Sequence, residues 1–219
     1  MNYWSNYNKA IINLNNKIII HNQNNKFNFV EDSFYNHIHD ILALVILKAS
    51  KNGSLRVLDY GSNILPWANL KNKINIDKLK VFIYDPFCSN NKYERNIDDI
   101  QIDSSLESIM SRNYDLSIFG SSTQYIEGLF ELLESNKNLL SKYILFTHTP
   151  LSIKKNFESL QFTGYKGKQY VRSIDELFTF FEIRGYEISF KSVIDNKFAS
   201  VEKKYLDRTI YTNILFSKK

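Results

Sequence analysis

Cysteine is nearly absent: Cys88 is the single one in 219 residues. No disulfide framework exists, and a reducing compartment suits such a chain. Glycine is scarce too, with seven residues, and nowhere do they form the Gly-x-Gly-x-x-Gly fingerprint of a dinucleotide-binding loop. That argues against a nucleotide-sugar enzyme working through a dinucleotide cofactor. No apolar stretch approaches the roughly 18 residues needed to span a bilayer. The start, Met1-Asn2-Tyr3-Trp4-Ser5-Asn6-Tyr7, has no signal-peptide pattern, so a cytoplasmic location is expected. A dense charge of one sign is missing as well. The formal net charge is +5, and the lysines are scattered among asparagines, which reads as a solvated surface. A nucleic-acid binder would show a basic stripe with aromatics, and only residues 165–170 hint at one. Nucleic acid is therefore not the expected partner.

What the chain does have is apolar substance. Hydrophobic residues make up 43% and aromatics 15%, enough to fold one domain with a substantial core. Residues 1–30 are rich in asparagine and aromatics and read as an N-terminal cap segment or, equally, as a packed arm. Residues 31–219 read as one globular domain. A helix begins at Asp32 or Ser33 and carries Phe34, Ile38, Ile41, Leu42, Val45 and Ile46 at helical spacing. Gly53 closes it as a C-cap. His37 and His39, two apart on that helix, do not share a face, and no metal site is expected.

The organising stretch is Leu55-Arg56-Val57-Leu58-Asp59-Tyr60-Gly61-Ser62-Asn63. An apolar run too short for a helix, ended by an acid and a glycine, reads as a buried strand of a parallel sheet. Asp59 and Gly61 then sit at a carboxyl strand end, where open α/β sheets bind ligands. A short helix follows over 64–70, with Pro66 in its first turn. The second strand, 80–84, ends in Asp85-Pro86, 24 residues after Gly61. An acid there suits ribose hydroxyls, although Asp and Pro also simply favour turns. A third short strand, 100–105, holds Asp103 and Ser104, and Asp103 equally suits the N-cap of a helix over 105–111. A fourth, 114–120, opens the polar loop Ser121-Ser122-Thr123-Gln124-Tyr125. Its hydroxyls and amide suit a polar, hydroxylated substrate, or a cap for a helix over 126–134. Strand five, 142–146, leads to His148, the best candidate general base. Ser173 and Glu176 read as a capping box. Two strands at 186–193 and 209–216, joined by a long polar connection, end the chain.

Val57-Leu58-Asp59-Tyr60-Gly61-Ser62 resembles the first motif of class I S-adenosylmethionine (SAM) dependent methyltransferases, and Tyr114-Asp115-Leu116 through Gln124-Tyr125-Ile126-Glu127 resembles the fourth. The order of elements over residues 30–219 agrees with that family. The resemblance implies a Rossmann-like α/β fold with a seven-stranded, mostly parallel sheet and an antiparallel last strand. It implies SAM as cofactor and S-adenosylhomocysteine (SAH) as product. Asp59, Gly61 and Ser62 would hold the methionine end, Asp85 the ribose, and Asp103 and Ser104 the adenine. Ser121, Ser122, Thr123, Gln124 and Tyr125 would face the acceptor with His148.

More narrowly, Leu58–Ser62, Tyr84-Asp85-Pro86-Phe87 and Phe119–Glu127 resemble small methyltransferases of bacterial surface-polysaccharide (capsule) biosynthesis. That implies O-methylation of a sugar, nucleotide-linked or phosphoryl-type precursor. One departure stands out. The family carries two or three glycines in the first loop, and this chain continues Asn63-Ile64-Leu65-Pro66. Side chains where a ligand needs bare backbone motivate the alternative, a catalytically inactive binding module on the same fold.

Overall fold

The computed structural model describes residues 33–50, 53–61, 67, 70, 78–85, 99–161, 167–194 and 201–219. The expected cap segment 1–30, Ser62 and the loop through Pro66, and Pro86 to Cys88 lie outside them. Helix α1 (Ser33–Ala49) precedes β1 (Ser54–Tyr60) and β2 (Lys78–Tyr84). Next come β3 (Ile100–Asp103), α2 (Leu106–Met110) and β4 (Leu116–Gly120). A 3-10 turn (Thr123–Tyr125) leads to α3 (Leu129–Ser135), then β5 (Tyr143–Ser152). The hairpin β6 (Phe157–Leu160) and β7 (Lys168–Ser173) follows. The chain closes with α4 (Ile174–Glu182), β8 (Tyr186–Ile194), a 3-10 turn (Lys203–Arg208) and β9 (Thr209–Lys218). No helix among the described residues is long and apolar enough to cross a membrane.

The main sheet runs β3-β2-β1-β4-β5-β9-β8, with β1 to β5 parallel and β9 antiparallel to both its neighbours. Those are the seven strands the sequence implies. The hairpin adds two that it did not: β7 pairs parallel with the far end of β5 at Leu151↔Arg172 and Ser152↔Ser173. Strand β5 is also longer than expected. It continues past Phe146 because β9 resumes pairing at Thr149 beyond a bulge.

Each face of the sheet buries its own core, as a doubly covered sheet must. On one face Leu55, Val57, Ile83, Ile118, Leu145 and Leu215 meet Ile41, Leu42, Val45 and Ile46 of α1, with Trp67 and Leu70. On the other, Leu58, Tyr60, Phe119, Phe146 and Phe216 meet Leu129 and Leu133 of α3 and Leu177, Phe180 and Phe181 of α4. Alternate strand residues supply the two sets, which follows from the period of two.

Three local expectations need correction. Ser105, not Asp103, is the N-cap of α2, and its hydroxyl accepts from Ser108 N at 3.2 Å. Ser173 is the N-cap of α4 but makes no side-chain cap bond, so the capping box does not form. Asn156 replaces it, accepting from Ser173 N and donating to the Glu176 carboxylate. The helix expected over 126–134 starts only at Leu129: Ile126, which closes the 3-10 turn Thr123–Tyr125, is extended, and Gly128 is the N-cap.

Candidate active site

The carboxyl ends of β3, β2, β1 and β4 and the bulge of β5 lie side by side in one row, joined by hydrogen bonds except between β1 and β4. Asp85 N donates to Asp103 O at 3.0 Å, and Gly61 N donates to Tyr84 O at 2.8 Å. Ser121 N donates to Thr147 O at 2.9 Å, and the Ser121 hydroxyl donates to His148 O at 3.3 Å. Between β1 and β4 the link is steric. A Cβ placed on Gly61 would lie 2.7 Å from Ser122 Cβ, and Gly61 has φ +77°. Only glycine meets both conditions. The row thus places Gly61, Asp85, Asp103, Ser121, Ser122 and His148 along a single edge.

The carboxylates in this row have different surroundings. Asp59 is buried, and its Oδ2 accepts from Trp67 Nε1 at 2.6 Å. Its side chain therefore belongs to the α1-side core, beside Trp67. Asp103 organises the turn after β3: Oδ1 accepts from Ser105 N at 2.9 Å and Oδ2 from the Ser108 hydroxyl at 2.5 Å. Arg112 adds an ion pair at 3.5 Å. Asp85 is half-buried at the end of β2. Beside these acids the Tyr60 ring lies 4.7 Å from Tyr84 and 5.4 Å from Phe119. Burial raises both phenol pKa values, and the Asp85 charge raises that of Tyr84 further.

The loop after β4 is fixed from below. Ser122, Thr123 and Gln124 are all buried. Arg172 of β7 donates to Thr123 O and Glu127 O, each at 2.8 Å, and to Ile126 O. The Tyr125 hydroxyl donates to Gln161 Oε1 at 2.5 Å. Within this clamped loop Ser122 Oγ and Gln124 Oε1 are buried without a hydrogen-bond partner. Such groups are costly unless something satisfies them.

His148 sits in the β5 bulge. Its φ is +50° and that of Ser121 is +49°, so two neighbouring non-glycine residues, one at the end of β4 and one in the β5 bulge, hold left-handed backbone, a strain typical of functional sites. Asn213 of β9, fully buried, accepts from His148 N at 2.9 Å and donates to the Ser192 hydroxyl at 3.0 Å. The imidazole packs on Tyr211 with ring centroids 5.3 Å apart. Burial lowers its pKa below 6.5, so it is neutral at pH 7. Below pH 6.5 the unfolded chain takes up a proton that the folded form resists, and stability falls with pH toward the folded pKa. Between pH 7.5 and 5.5 the urea midpoint should therefore drop further in the wild type than in His148→Asn, which tolerates the same backbone. Equal drops would show that the imidazole is not desolvated.

No family model matches the chain, and no curated protein is similar to it in sequence. Solved structures are similar in shape. Coclaurine N-methyltransferase, bound to N-methylheliamine and SAH, superposes with TM-score 0.59 at 11% identity, over 88% of this chain and 76% of that one. The 1,6-didemethyltoxoflavin-N1-methyltransferase of Burkholderia thailandensis, with 1,6-didemethyltoxoflavin and SAH bound, gives 0.56 at 10% identity, over 97% of this chain and 90% of that one. The fold is that of the Rossmann-like methyltransferases. The same shape also hosts other chemistry: the [4+2]-cyclase SpnF matches with TM-score 0.55 at 12% identity, over 82% of this chain and 80% of its own. Function must therefore be argued from the edge residues.

Trp67, Arg172 and Asn213 escaped the sequence reading. Trp67 was visible in the first loop, but nothing there signals an indole reaching back eight residues to Asp59. Arg172 binds carbonyl oxygens 45 to 49 positions away, and backbone acceptors carry no residue signature.

Proposed function

We propose that this protein is a methyltransferase that uses SAM and releases SAH. The observation that carries the reading is the joined row of strand ends, with left-handed Gly61 against Ser122 and Asp85 beside Asp103. The donor set fits the cofactor. Asp85 offers an acid to ribose hydroxyls, and Gly61 offers backbone at the methionine end. Asp59 acts from within the core through its bond to Trp67, and Asp103 by shaping the turn in which Ser104 meets the adenine. SAM supplies an electrophilic methyl group on a sulfonium.

The chain's residues do the rest by placement and by moving one proton. Aligning the acceptor and excluding water lower the barrier to an in-line displacement. The acceptor we favour is small, polar and hydroxylated: a sugar or phosphoryl-bearing precursor, with the surface-polysaccharide assignment resting on the resemblance of three segments. Ser122 Oγ and Gln124 Oε1 are the buried groups such an acceptor would satisfy. Neutral His148 takes the proton when the nucleophile is a hydroxyl, and an ionised phosphoryl oxygen needs no base. Residues 31–219 act as one cytoplasmic domain in this reading.

A second reading keeps the fold and drops the activity, favoured by the Asp59 carboxylate being held by Trp67. Calorimetric titration with SAM and SAH decides between them. SAH should bind the wild type, and Asp85→Ala should weaken it 10- to 100-fold, about 1.5–3 kcal/mol for hydrogen bonds to a charged group. Well-folded protein that binds neither ligand would overturn methyl transfer and leave the inactive module.

A further inference from the structure

One arginine side chain stands apart from every hydrogen-bond network among the described residues. The other described arginines each donate to an oxygen: Arg56 to Asn113 O, Arg112 to Gln101, Arg172 to the loop carbonyls and Arg184 to Glu134. Arg208, last residue of the 3-10 turn before β9, does not. Its Nε is buried and has no hydrogen-bond partner. No carboxylate among the described residues forms an ion pair with it.

The side chain is nevertheless held in place. Its guanidinium carbon lies 4.3 Å from the Phe157 ring centroid and 4.5 Å from that of Tyr205. Those two rings are themselves 4.3 Å apart, so they form one aromatic platform under a planar cation. A guanidinium fixed on rings, with its fork uncommitted, is prepared for an oxyanion that offers two oxygens in one plane. Its surroundings help. Arg208 O accepts from Ile153 N at 2.9 Å, and the next residues on that segment, Lys154 and Lys155, are exposed cations.

The place in the fold says what the anion would belong to. Arg208 ends the 3-10 turn that leads directly into β9, three residues before Tyr211. Tyr211 is the ring on which His148 packs. We propose that Arg208, on its Phe157–Tyr205 platform, is an oxyanion site that anchors a phosphate or carboxylate of the acceptor. The oxyanion site stands on its own geometry, and its use by an acceptor rests on the methyl-transfer reading.

The test is a titration of the full chain followed by the arginine Nε–H signals in a nitrogen-15 correlation spectrum, with the Arg208 signal assigned by its loss in Arg208→Gln. Inorganic pyrophosphate and glucuronate are the two probes, one phosphate and one carboxylate. At least one should shift the Arg208 signal saturably in the millimolar range, and the tighter one names the source of the anion. Arg208→Lys keeps the charge but loses the fork, and should bind that probe at least tenfold more weakly, read from backbone amide shifts. SAH should bind both variants as it binds the wild type. An Arg208 signal unmoved by either probe would overturn the site, and so would Arg208→Lys binding as tightly as the wild type, which would mark an adventitious ion on surface lysines. The SAH titration stands separately: an oxyanion shift without SAH binding keeps this site and removes the methyltransferase reading.

Discussion

Replacing Arg172 with methionine should lower the unfolding free energy by about 3 kcal/mol, because a buried charge and three carbonyl oxygens lose one another together. Arg172 is 8% exposed, and burial pulls its pKa down to about 10, so it is still charged at pH 7. A charge in that position is tolerable only with good acceptors around it. Thr123 O and Glu127 O, each at 2.8 Å, and Ile126 O are those acceptors. Phe130 lies beneath the guanidinium carbon at 5.8 Å. Methionine fills much of the volume but donates nothing. The orphaned carbonyls then rehydrate, which is why the expected loss is well below three full charged hydrogen bonds at about 1.5–3 kcal/mol each. Arg172→Lys should recover less than half of the loss, since an ammonium is a point donor and cannot span three acceptors. Urea unfolding gives the magnitude, and amide exchange over residues 121–127 gives the location. A loss under about 1 kcal/mol, or unchanged exchange there, would show that the loop after β4 is held by something other than this residue.

Much of this scaffold was legible in the sequence because parallel strands buried on both faces must be written as short apolar runs. Val57-Leu58, Val81-Phe82-Ile83 and Ile144-Leu145-Phe146 are such runs, and each proved to be strand. Polar residues at their carboxyl ends marked the edge where Asp85, Ser121 and His148 gather. The hairpin β6–β7 was not legible. Its strands are short, and polar residues such as Gln169 and Arg172 occupy buried positions, so the period-two signal is lost. The length of β5 was hidden by Pro150, which reads as a strand breaker. The bulge at His148 lets the strand resume beyond it, with Pro150 opposite Tyr211 of β9. Asp103 shows a different limit. The sequence offered ligand binding and helix capping for the same acid. In the fold its carboxylate meets Ser105 N, the Ser108 hydroxyl and Arg112, a choice that depends on where the chain turns rather than on which residues it contains.

Gly61→Ala should cost about 2–4 kcal/mol and abolish SAH binding, since it combines two penalties at the tightest point of the row. The first is conformational. Gly61 has φ +77°, and a residue with a Cβ pays about 1–2 kcal/mol to hold left-handed backbone. The second is steric: the new carbon would stand 2.7 Å from Ser122 Cβ and 3.4 Å from Ser122 Oγ. Ser122 cannot retreat easily, because the turn it opens is pinned through Thr123 O by Arg172. Nor can Gly61, whose N–H is bound to Tyr84 O at 2.8 Å. The double variant Gly61→Ala/Ser122→Gly removes the clash and leaves the φ penalty, so a double-mutant cycle separates the two. Recovery of half or more of the lost stability, with SAH binding partly restored, would show that the loops after β1 and β4 act as one rigid floor. Additive losses would mean that the two loops move independently, and the joined edge would no longer support a shared cofactor site.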